Sequence, residues 1–397
     1  MSLTRRSFFV STVGSAVAGS VATGYPANDV VNVGVIGCGG RARHLLKSLN
    51  DMPSANAIML CDVWDKALDE TRALCPTADA VKRHEAVFAS KDIQAVLIAT
   101  PDHWHVPLTV AACEAGKDVY VEKPLTHELS EGRAVIDAQT THKRIVQVGT
   151  QQRSMPHIAA ARELVKAGAI GQVLKVRMSW NRNQNRVKRN PLGVDPQSVD
   201  WKRFLGESRE QPFDEYRFRN WRWFWDFGGG IFTDLMVHWV DVAHWVLGLD
   251  HPTKAVSVGD FVSAGGVWET PDTVQTLLSY PGGVQMHFEG TFANARRGAH
   301  IEFHGTDATL YVDRGRYELI PERGRKLEAK QEVVGTGPPA ADFYDKPDGE
   351  RLHLQNWLDC IKSRRAPSSP AESGVGSAAA AHLANQALRA GGVAVWK

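Results

Sequence analysis

Apolar residues in the first 150 positions form short runs separated by amphipathic, helix-compatible stretches. The runs are rich in Val, Ile, Leu and Ala and cover 31–36, 57–61, 93–99 and 119–121. The run 93–99 is predominantly apolar, as is typical of a parallel strand buried on both faces. Strands that alternate with helices predict an α/β domain over 30–150, with the doubly wound parallel sheet of a Rossmann fold.

The pattern changes after residue 150. A helical stretch covers 157–167, an alternating strand covers 173–180, and the polar segment 181–212 predicts long loops. Five further strand-like runs are separated by turn residues: 254–262, 273–280, 283–290, 300–303 and 309–312. Helical patterns follow at 351–364 and 373–390. We therefore expect an α+β domain over 151–397 with a large open, mainly antiparallel sheet.

The first 29 residues have a third pattern. Arg5 and Arg6 precede an apolar run of small residues from Phe8 to Ala22, which ends in the small-x-small tripeptide 20–22. The run is too short and glycine-rich to predict stable membrane insertion. The arginine pair resembles a twin-arginine export signal, with an ordinary secretory signal or an uncleaved anchor as alternatives. We expect a periplasmic protein that meets the twin-arginine machinery and is membrane-tethered if the segment stays uncleaved.

Composition excludes several other classes. Lys and Arg number 46 against 44 Asp and Glu, so the net charge of +2 gives no general reason to bind nucleic acid or anionic lipid. The five cysteines have no CxxC spacing, which argues against a disulfide framework or a zinc site. Cys38, Cys61 and Cys113 lie in apolar or glycine-rich stretches, and we expect them to be small buried hydrophobic residues.

Seven of the twelve tryptophans lie between Trp180 and Trp245. Aromatic faces suit the C–H faces of sugar rings, but large aromatic residues also fill cores and subunit interfaces. The sequence leaves both explanations open for any single tryptophan.

A glycine motif, Gly37-Cys38-Gly39-Gly40-Arg41-Ala42, follows the first strand and opens the first helix. This is GxGxxA in the strand–turn–helix context that dinucleotide binding requires. Gly37 permits the tight turn, Gly39 lets the backbone approach a pyrophosphate, and Ala42 keeps the helix close to the sheet. Free N–H groups of the helix then face the anion.

Asp62 ends the second strand, 25 residues after Gly37. An acidic residue at this place accepts hydrogen bonds from a ribose 2′-hydroxyl and repels a 2′-phosphate. The sequence therefore favours NAD over NADP, which stays an alternative.

Two later strands end in polar residues, and the carboxyl ends of such strands form the ligand edge of the sheet. The first end carries Thr100, Pro101 and His105, and the second carries Glu122 and Lys123. The next residue is proline, which biases Lys123 towards an extended conformation. An ammonium there can stabilise a developing alkoxide, although a solvated loop lysine is the plainer alternative.

The segment 226–245 combines apolar residues with unusual polar ones. Glycines 228–230 allow close backbone approach and start a helix, in which Asp234, His238 and Asp241 are spaced i, i+4, i+7 and are expected on one face. A histidine of near-neutral pKa suits general-base chemistry. A helix-dipole aspartate and a buried structural histidine are the alternatives. Without HExxH or a cysteine partner, the spacing predicts no metal.

These motifs resemble those of the Gfo/Idh/MocA family of oxidoreductases, which includes glucose–fructose oxidoreductase and inositol dehydrogenase. The matching elements are 34–39, Thr100-Pro101 with His105, Glu122-Lys123-Pro124, and glycines 228–230 with Asp234 and His238. The resemblance covers nearly the whole chain after the first 29 residues. It implies that Lys123 lies beside the nicotinamide, that His238 is the general base, and that Asp234 binds substrate or orients His238.

Two sets of site residues follow. The candidate cofactor-binding residues are Gly37, Cys38, Gly39, Gly40, Arg41, Ala42, Asp62, Thr100, Pro101, His105, Glu122 and Lys123. The candidate substrate-binding residues are Lys123, Arg153, Trp180, Asn181, Trp223, Asp234 and His238.

The function expected is hydride transfer between NAD(P) and a secondary hydroxyl of a sugar, sugar derivative or cyclitol. Because no dependable pool of free cofactor exists outside the cytoplasm, we expect the cofactor to be tightly bound. One alternative is a glycoside hydrolase or lyase that transiently oxidises the sugar; a second is a non-catalytic sugar-binding protein. The resemblance also implies a homo-oligomer, a dimer or tetramer, formed through the C-terminal sheet.

Overall fold

The structure is a computed structural model that describes residues 30–184, 187–341 and 348–396. The predicted export signal and its cleavage site lie outside the described residues. Among the helices that are described, none has the length and apolar character needed to cross a bilayer.

The first part of the described chain alternates strands with helices. In chain order the elements are β1 Val31–Ile36, α1 Gly40–Asn50, β2 Ala55–Cys61, α2 Asp65–Arg72, β3 Asp79–Val81, α3 His84–Ala89, β4 Ala95–Ile98, α4 His105–Glu114, β5 Asp118–Val121, α5 Gly132–His142 and β6 Val146–Val148. Within the described residues they form a six-stranded sheet of order β3-β2-β1-β4-β5-β6, and its strand pairs are all parallel. The predicted Rossmann fold is confirmed.

The strand register places the carboxyl ends of β1, β4 and β5 side by side. Ile36 pairs with Ile98, and Ile98 pairs with Val121, at the carboxyl ends of β1, β4 and β5. The chain order of the strands reverses between β1 and β4, and a crevice opens at such a point. The residues that follow these three strands therefore share one edge.

The second part contains these elements in chain order: α6 Pro156–Lys166, β7 Val173–Asn181, α7 Trp201–Leu205, α8 Glu215–Arg219, a π-helix Phe232–Met236, α9 Val237–Leu247, β8 Lys254–Asp260, β9 Thr273–Ser279, β10 Gln285–Thr291, β11 Ala299–Gly305, β12 Ala308–Val312, β13 Arg316–Pro321, β14 Lys330–Val333, α10 Gly349–Ser363, α11 Ala371–Arg389 and β15 Val393–Val395. In the described chain, nine strands pair in the order β14-β13-β12-β11-β7-β10-β9-β8-β15. The β7–β10 pair is parallel and the other pairs are antiparallel, so the predicted mainly antiparallel sheet is confirmed.

One face of this sheet forms the core of the second part. Val176, Met178 and Trp180 alternate along β7, and Met286 and Phe288 alternate along β10, with all five side chains buried. Helices α9 and α11 pack together, and α11 also packs on β8. The alanine-rich sequence of α11 suits this place because small side chains allow close approach of neighbouring backbones.

The last helices return to the Rossmann sheet. The Gln147 side-chain amide donates to the carbonyl of His353 at 2.7 Å, and the Val148 N–H donates to the carbonyl of Ser369 at 2.9 Å. Arg364 forms an ion pair with the buried Asp118 at 2.6 Å. These contacts attach α10 and the segment that follows it to the Rossmann sheet.

Candidate active site

A cavity of about 650 Å³ lies between the carboxyl edge of the Rossmann sheet and the second part of the chain. One wall comes from the glycine loop and the ends of β2, β4 and β5. The opposite wall comes from the end of β7, the 219–223 segment and the turn that carries Asp234 and His238. The predicted cofactor motifs of the Rossmann sheet and the predicted Asp234–His238 motif of the second part therefore line the same cavity.

The glycine loop has the shape that a pyrophosphate requires. Gly37 has φ +86°, and a Cβ there would lie 2.7 Å from the carbonyl group of Ala99. Gly39 and Gly40 line the cavity, and a Cβ on either would meet no atom within 4 Å. Ala42 is fully buried beneath the loop. Exposed backbone at the start of α1 therefore fits the phosphates of a dinucleotide.

Asp62 supports the loop as well as facing the cavity. Its Oδ2 accepts from the Cys38 N–H at 2.6 Å, and its Oδ1 accepts from the Trp64 N–H at 2.8 Å. Burial raises the pKa of the Asp62 carboxyl against the opposing effect of these hydrogen bonds. A carboxylate has about four acceptor sites, so capacity remains for the ribose hydroxyl predicted from the sequence. Cys38 contributes its backbone, since its buried side chain does not line the cavity.

Arg41 links the loop to two acidic residues. Its Nε lies 2.8 Å from Glu122 Oε1, and its Nη1 lies 2.7 Å from Glu350 Oε1. Gly149 leaves room for Glu122, because a Cβ at that glycine would lie 2.7 Å from the carboxylate. Glu350 begins α10, and its place at the site could not be predicted from sequence because it is some 300 residues from Arg41.

His105 joins the two other strand ends. Its Nδ1 lies 2.6 Å from the carbonyl oxygen of Pro124, and its Nε2 lies 3.0 Å from that of Thr100. Thr100, Pro101, His105, Glu122 and Lys123 all line the cavity, as the sequence predicts for a nicotinamide wall.

Lys123 and Asp234 meet across the cavity. Lys123 Nζ donates to Asp234 Oδ1 at 2.9 Å and to the Asp234 carbonyl at 2.8 Å. Arg222 Nε donates to the same Oδ1 at 3.1 Å. Burial opposes ionisation of Asp234, but Lys123 and Arg222 outweigh it and hold the pKa of the carboxyl below its usual range. Asp234 is therefore a carboxylate that fixes the lysine ammonium.

His238 lies beside this pair and lines the cavity. Burial, and then the positive charges of Lys123, Arg314 and others, lower its pKa well below the usual value. The imidazole is therefore neutral at pH 7, but it is a weaker base than the histidine of near-neutral pKa that was expected from the sequence, because burial and the neighbouring cations disfavour its protonated form. Its ring lies 5.2 Å from the Trp180 ring, and its Nδ1 has no hydrogen-bond partner among the described residues.

The predicted polar face divides between the cavity and the protein interior. Asp234 lies within the π-helix, whereas His238 and Asp241 lie in α9. Asp234 and His238 line the cavity, but Asp241 does not, since it is fully buried and paired with Arg153. The expectation that all three residues share one face is therefore met at the cavity by Asp234 and His238, and the ion pair with Arg153 accounts for Asp241.

Arg153 also lies outside the cavity lining. Its Nε lies 2.7 Å from Asp241 Oδ2, and its Nη2 lies 2.9 Å from Asp241 Oδ1. The Arg153 guanidinium, which the sequence assigned to substrate binding, is thus bound by the Asp241 carboxylate instead. Asn181 is displaced likewise, since its amide donates to Glu289 at 3.2 Å and to the Arg296 carbonyl at 2.9 Å.

The tryptophans between 180 and 245 differ in role: some line the cavity, and others fill the core. Trp180, Trp221 and Trp223 line the cavity, and Trp223 stacks on Trp268 with ring centroids 4.3 Å apart. Trp239 is fully buried in the core. Position between 180 and 245 did not by itself distinguish these roles, because both kinds of tryptophan lie in that range.

Sequence reasoning missed a group of basic residues at the cavity. Arg182, Arg222 and Arg314 line it near Lys123 and His238. It also missed Asp102, which is buried and hydrogen-bonded to Thr233, and whose pKa is raised well above its usual value by burial. The Arg- and Asn-rich character of 181–212 was a signal for Arg182 alone, and it does not specify which arginine of that segment turns inward.

The comparisons with known proteins agree with this geometry. Residues 31–150 match the model of the oxidoreductase family with an NAD-binding Rossmann fold, and residues 158–311 match the GFO/IDH/MocA C-terminal domain. The chain belongs to the Gfo/Idh/MocA oxidoreductase family. Family membership makes it an NAD(P)-dependent oxidoreductase with an NAD-binding domain, within a group that includes dehydrogenases of sugars and cyclitols.

The similar proteins extend over nearly the whole chain. Inositol 2-dehydrogenase of Rhizobium meliloti (strain 1021) is 25% identical over 371 residues, covering 90% of this chain and 96% of that protein. Levoglucosan dehydrogenase of Pseudarthrobacter phenanthrenivorans is 25% identical over 278 residues, or 64% of each chain. A solved levoglucosan dehydrogenase in complex with NADH and levoglucosan shares the fold, with TM-score 0.71, 19% identity, and coverage of 91% and 97%.

All five cysteines lie in the described part of the chain, where the expectation of buried thiols is tested. Cys38, Cys61, Cys75, Cys113 and Cys360 are free and buried. Within the described ranges, no three His, Cys, Asp or Glu side chains group as a metal site would require.

Proposed function

We propose that the chain oxidises a secondary hydroxyl of a sugar, sugar derivative or cyclitol, or reduces the corresponding ketone. The observation that carries the proposal is the meeting of the Lys123 ammonium and the His238 imidazole in the cavity that the glycine loop opens into. Bound NAD supplies the hydride acceptor.

Each side chain at the cavity has a separate role in the proposed reaction. Lys123, held by Asp234, donates a hydrogen bond to the reacting oxygen and stabilises its developing negative charge. His238 is neutral before the reaction and lies where it takes the hydroxyl proton. Trp223, which lines the cavity and is partly exposed, offers an apolar face to the carbon ring of the substrate, whereas Trp180 is almost fully buried at the cavity wall.

The test is absorbance of NADH with a panel of monosaccharides, sugar acids, cyclitols and glycosides. Lys123→Ala and His238→Ala are each expected to lower turnover by at least about 10²-fold while NAD binding, measured by calorimetry, persists. Lys66→Ala is the matched control, because Lys66 is an exposed lysine on α2. Full activity in either site variant would contradict the assigned roles.

The same panel separates the other candidate functions. Release of an aglycone without net change in cofactor would indicate the glycosidase or lyase. Sugar binding without any change in the bound cofactor would indicate a binding protein. Lys123, Asp234 and His238 together favour redox chemistry over mere binding, because binding alone does not need a proton acceptor beside a fixed ammonium.

We propose further that the chain is exported by the twin-arginine route and holds its cofactor tightly. The support is the order of Arg5, Arg6 and the apolar run in the sequence. Replacement of both arginines by lysine is expected to move the protein from the periplasmic to the cytoplasmic fraction.

Tight cofactor binding is tested by dialysis. Nicotinamide that stays with the protein through dialysis would support tight binding, and its loss would contradict it.

We also propose a homo-oligomer, a dimer or tetramer, assembled through the outer face of the C-terminal sheet. Val393 pairs with Val256, which pairs with Leu277, and these three side chains are 56%, 38% and 55% exposed. A continuous apolar row on a solvent face suits burial against a second copy.

A further inference from the structure

The part of the cavity beside Asp62, which we call the adenosine end, is formed partly by the second part of the chain. In a Rossmann fold the acidic residue at the end of β2 binds the adenosine ribose. Trp64, Phe218 and Arg219 also line the cavity. The Trp64 and Phe218 ring centroids are 5.5 Å apart, and the Arg219 guanidinium lies 4.7 Å from the Trp64 ring. Helix α8 therefore reaches the adenosine end.

The segment 199–219 that carries α8 is attached to the ends of Rossmann strands. The Asp200 N–H donates to the carbonyl of Val63, directly after Asp62, at 2.9 Å. Further along, the Trp104 indole N–H donates to the carbonyl of Phe204 at 2.9 Å. These contacts hold the segment against the sheet that carries the glycine loop.

Arg219 differs from the neighbouring arginines in having no ion pair among the described residues. Arg217 and Arg222 each pair with an aspartate, at 2.8 Å and 3.1 Å. Arg219 is exposed, and its guanidinium contacts the Trp64 ring. The Trp64 N–H in turn donates to Asp62 Oδ1 at 2.8 Å. An unpaired cation thus lies next to the residues that are predicted to bind the ribose.

We propose that Arg219 binds the adenosine half of NAD, so that the second part of the chain completes the cofactor site. A guanidinium suits this ligand because it stacks on aromatic faces, such as that of adenine, and its charge attracts the adjacent phosphates. NAD can leave only when this contact breaks, which slows its release and gives a physical basis for the tight binding proposed above. The inference rests on NAD binding in the proposed function and not on the reaction of the sugar.

The test is the rate at which NADH leaves the whole chain, followed as the loss of bound-NADH fluorescence after excess ADP-ribose is added. Arg219→Gln is expected to release NADH about tenfold faster, because one contact to the nucleotide is lost. Calorimetry should show a similar loss of affinity for ADP-ribose, which contains adenosine, and none for nicotinamide mononucleotide, which does not. Arg209→Gln is the matched control, because Arg209 is an exposed arginine of the same segment that does not line the cavity.

Three results would overturn the proposal. The first is an unchanged rate of NADH release in Arg219→Gln. The second is a lower free energy of unfolding with unchanged release, which would leave Arg219 as a packing partner of Trp64. The third is an equal loss of affinity for ADP-ribose and nicotinamide mononucleotide. The expected loss for ADP-ribose in a protein that reduces no NAD with any sugar would instead leave this proposal standing and refute the proposed sugar oxidation.

Discussion

Gly37 and Gly39 are two residues apart and have opposite surroundings. Gly37 has positive φ and lies against the backbone of Ala99, whereas Gly39 faces open cavity. Gly37→Ala is expected to lower the free energy of unfolding by on the order of 1–3 kcal/mol, because it combines backbone strain with a close contact. Gly39→Ala should leave stability unchanged and raise the Kd for NAD about tenfold.

Chemical denaturation and NAD calorimetry on both variants provide the measurement. Each variant is the control for the other, since both add one methyl group to the same loop. An unchanged Kd for NAD in Gly39→Ala would contradict the proposed approach of the pyrophosphate to Gly39, and equal losses of stability in the two proteins would contradict the difference in their surroundings.

His382 provides a prediction on pH. Burial, and then the nearby His127, lower its pKa to about 4, and it is held by Thr126 at 2.9 Å. Between pH 6.5 and pH 4 the unfolded chain binds a proton that the folded chain does not, so this histidine destabilises the fold as pH falls. In His382→Gln the free energy of unfolding should fall less steeply, by up to about 1.4 kcal/mol per pH unit.

The comparison is made by denaturant unfolding of both proteins from pH 7 to pH 5. Buried carboxyls with raised pKa, such as Asp102 and Asp241, act in the opposite direction, but they are present in both proteins and cancel in the difference. Identical slopes would show that the His382 pKa is not lowered.

At the scale of elements, the Arg153–Asp241 pair joins the start of the second part of the chain to α9. Both side chains are buried, so removing one leaves a charge without its partner. Arg153→Met is expected to lower the free energy of unfolding by about 3–5 kcal/mol. Arg133→Met is the matched control, because it breaks an exposed pair with Asp137 and should change stability little.

Thermal or chemical unfolding measures both variants, and the sugar affinity of folded Arg153→Met protein is measured beside it. A stable Arg153→Met protein with weakened sugar binding would restore the substrate role that the sequence suggested for Arg153.

The π-helical turn at 232–236 is a feature of the helix that its local sequence did not predict. The sequence of 226–245 indicated a glycine-initiated helix with a polar face, and Asp234 and His238 do line one cavity. It did not indicate the wider turn at 232–236, which depends on local fit: Thr233 Oγ1 accepts from the Gly229 N–H at 3.0 Å, and Asn385 of α11 donates to the Gly229 carbonyl at 2.8 Å. The second partner is distant in sequence and cannot be deduced from periodicity.

At the scale of the whole molecule, the outer sheet face predicts self-association. Leu277→Glu places a charge in the middle of the Val393–Val256–Leu277 row and should shift the protein towards monomer in light scattering. Leu352→Glu is the control, because Leu352 is a similarly exposed leucine on α10. An unchanged mass in Leu277→Glu would place any assembly on another surface.

The sequence by itself determined the features that depend on neighbours in the chain. Buried runs alternating with helices determined the Rossmann sheet, and the glycine motif after β1 determined where a dinucleotide fits. Motifs that resemble those of the Gfo/Idh/MocA family also named Lys123, Asp234 and His238, because residue type and local spacing are enough to show that resemblance.

Tertiary structure decided everything that depends on which distant side chains come together. It turned Arg153 and Asn181 away from the cavity by giving them Asp241 and Glu289 as partners. It turned Arg182 and Arg314 towards the cavity. The physical reason is that a buried polar group takes its role from the partner that satisfies it, and the fold, not the local sequence, supplies that partner.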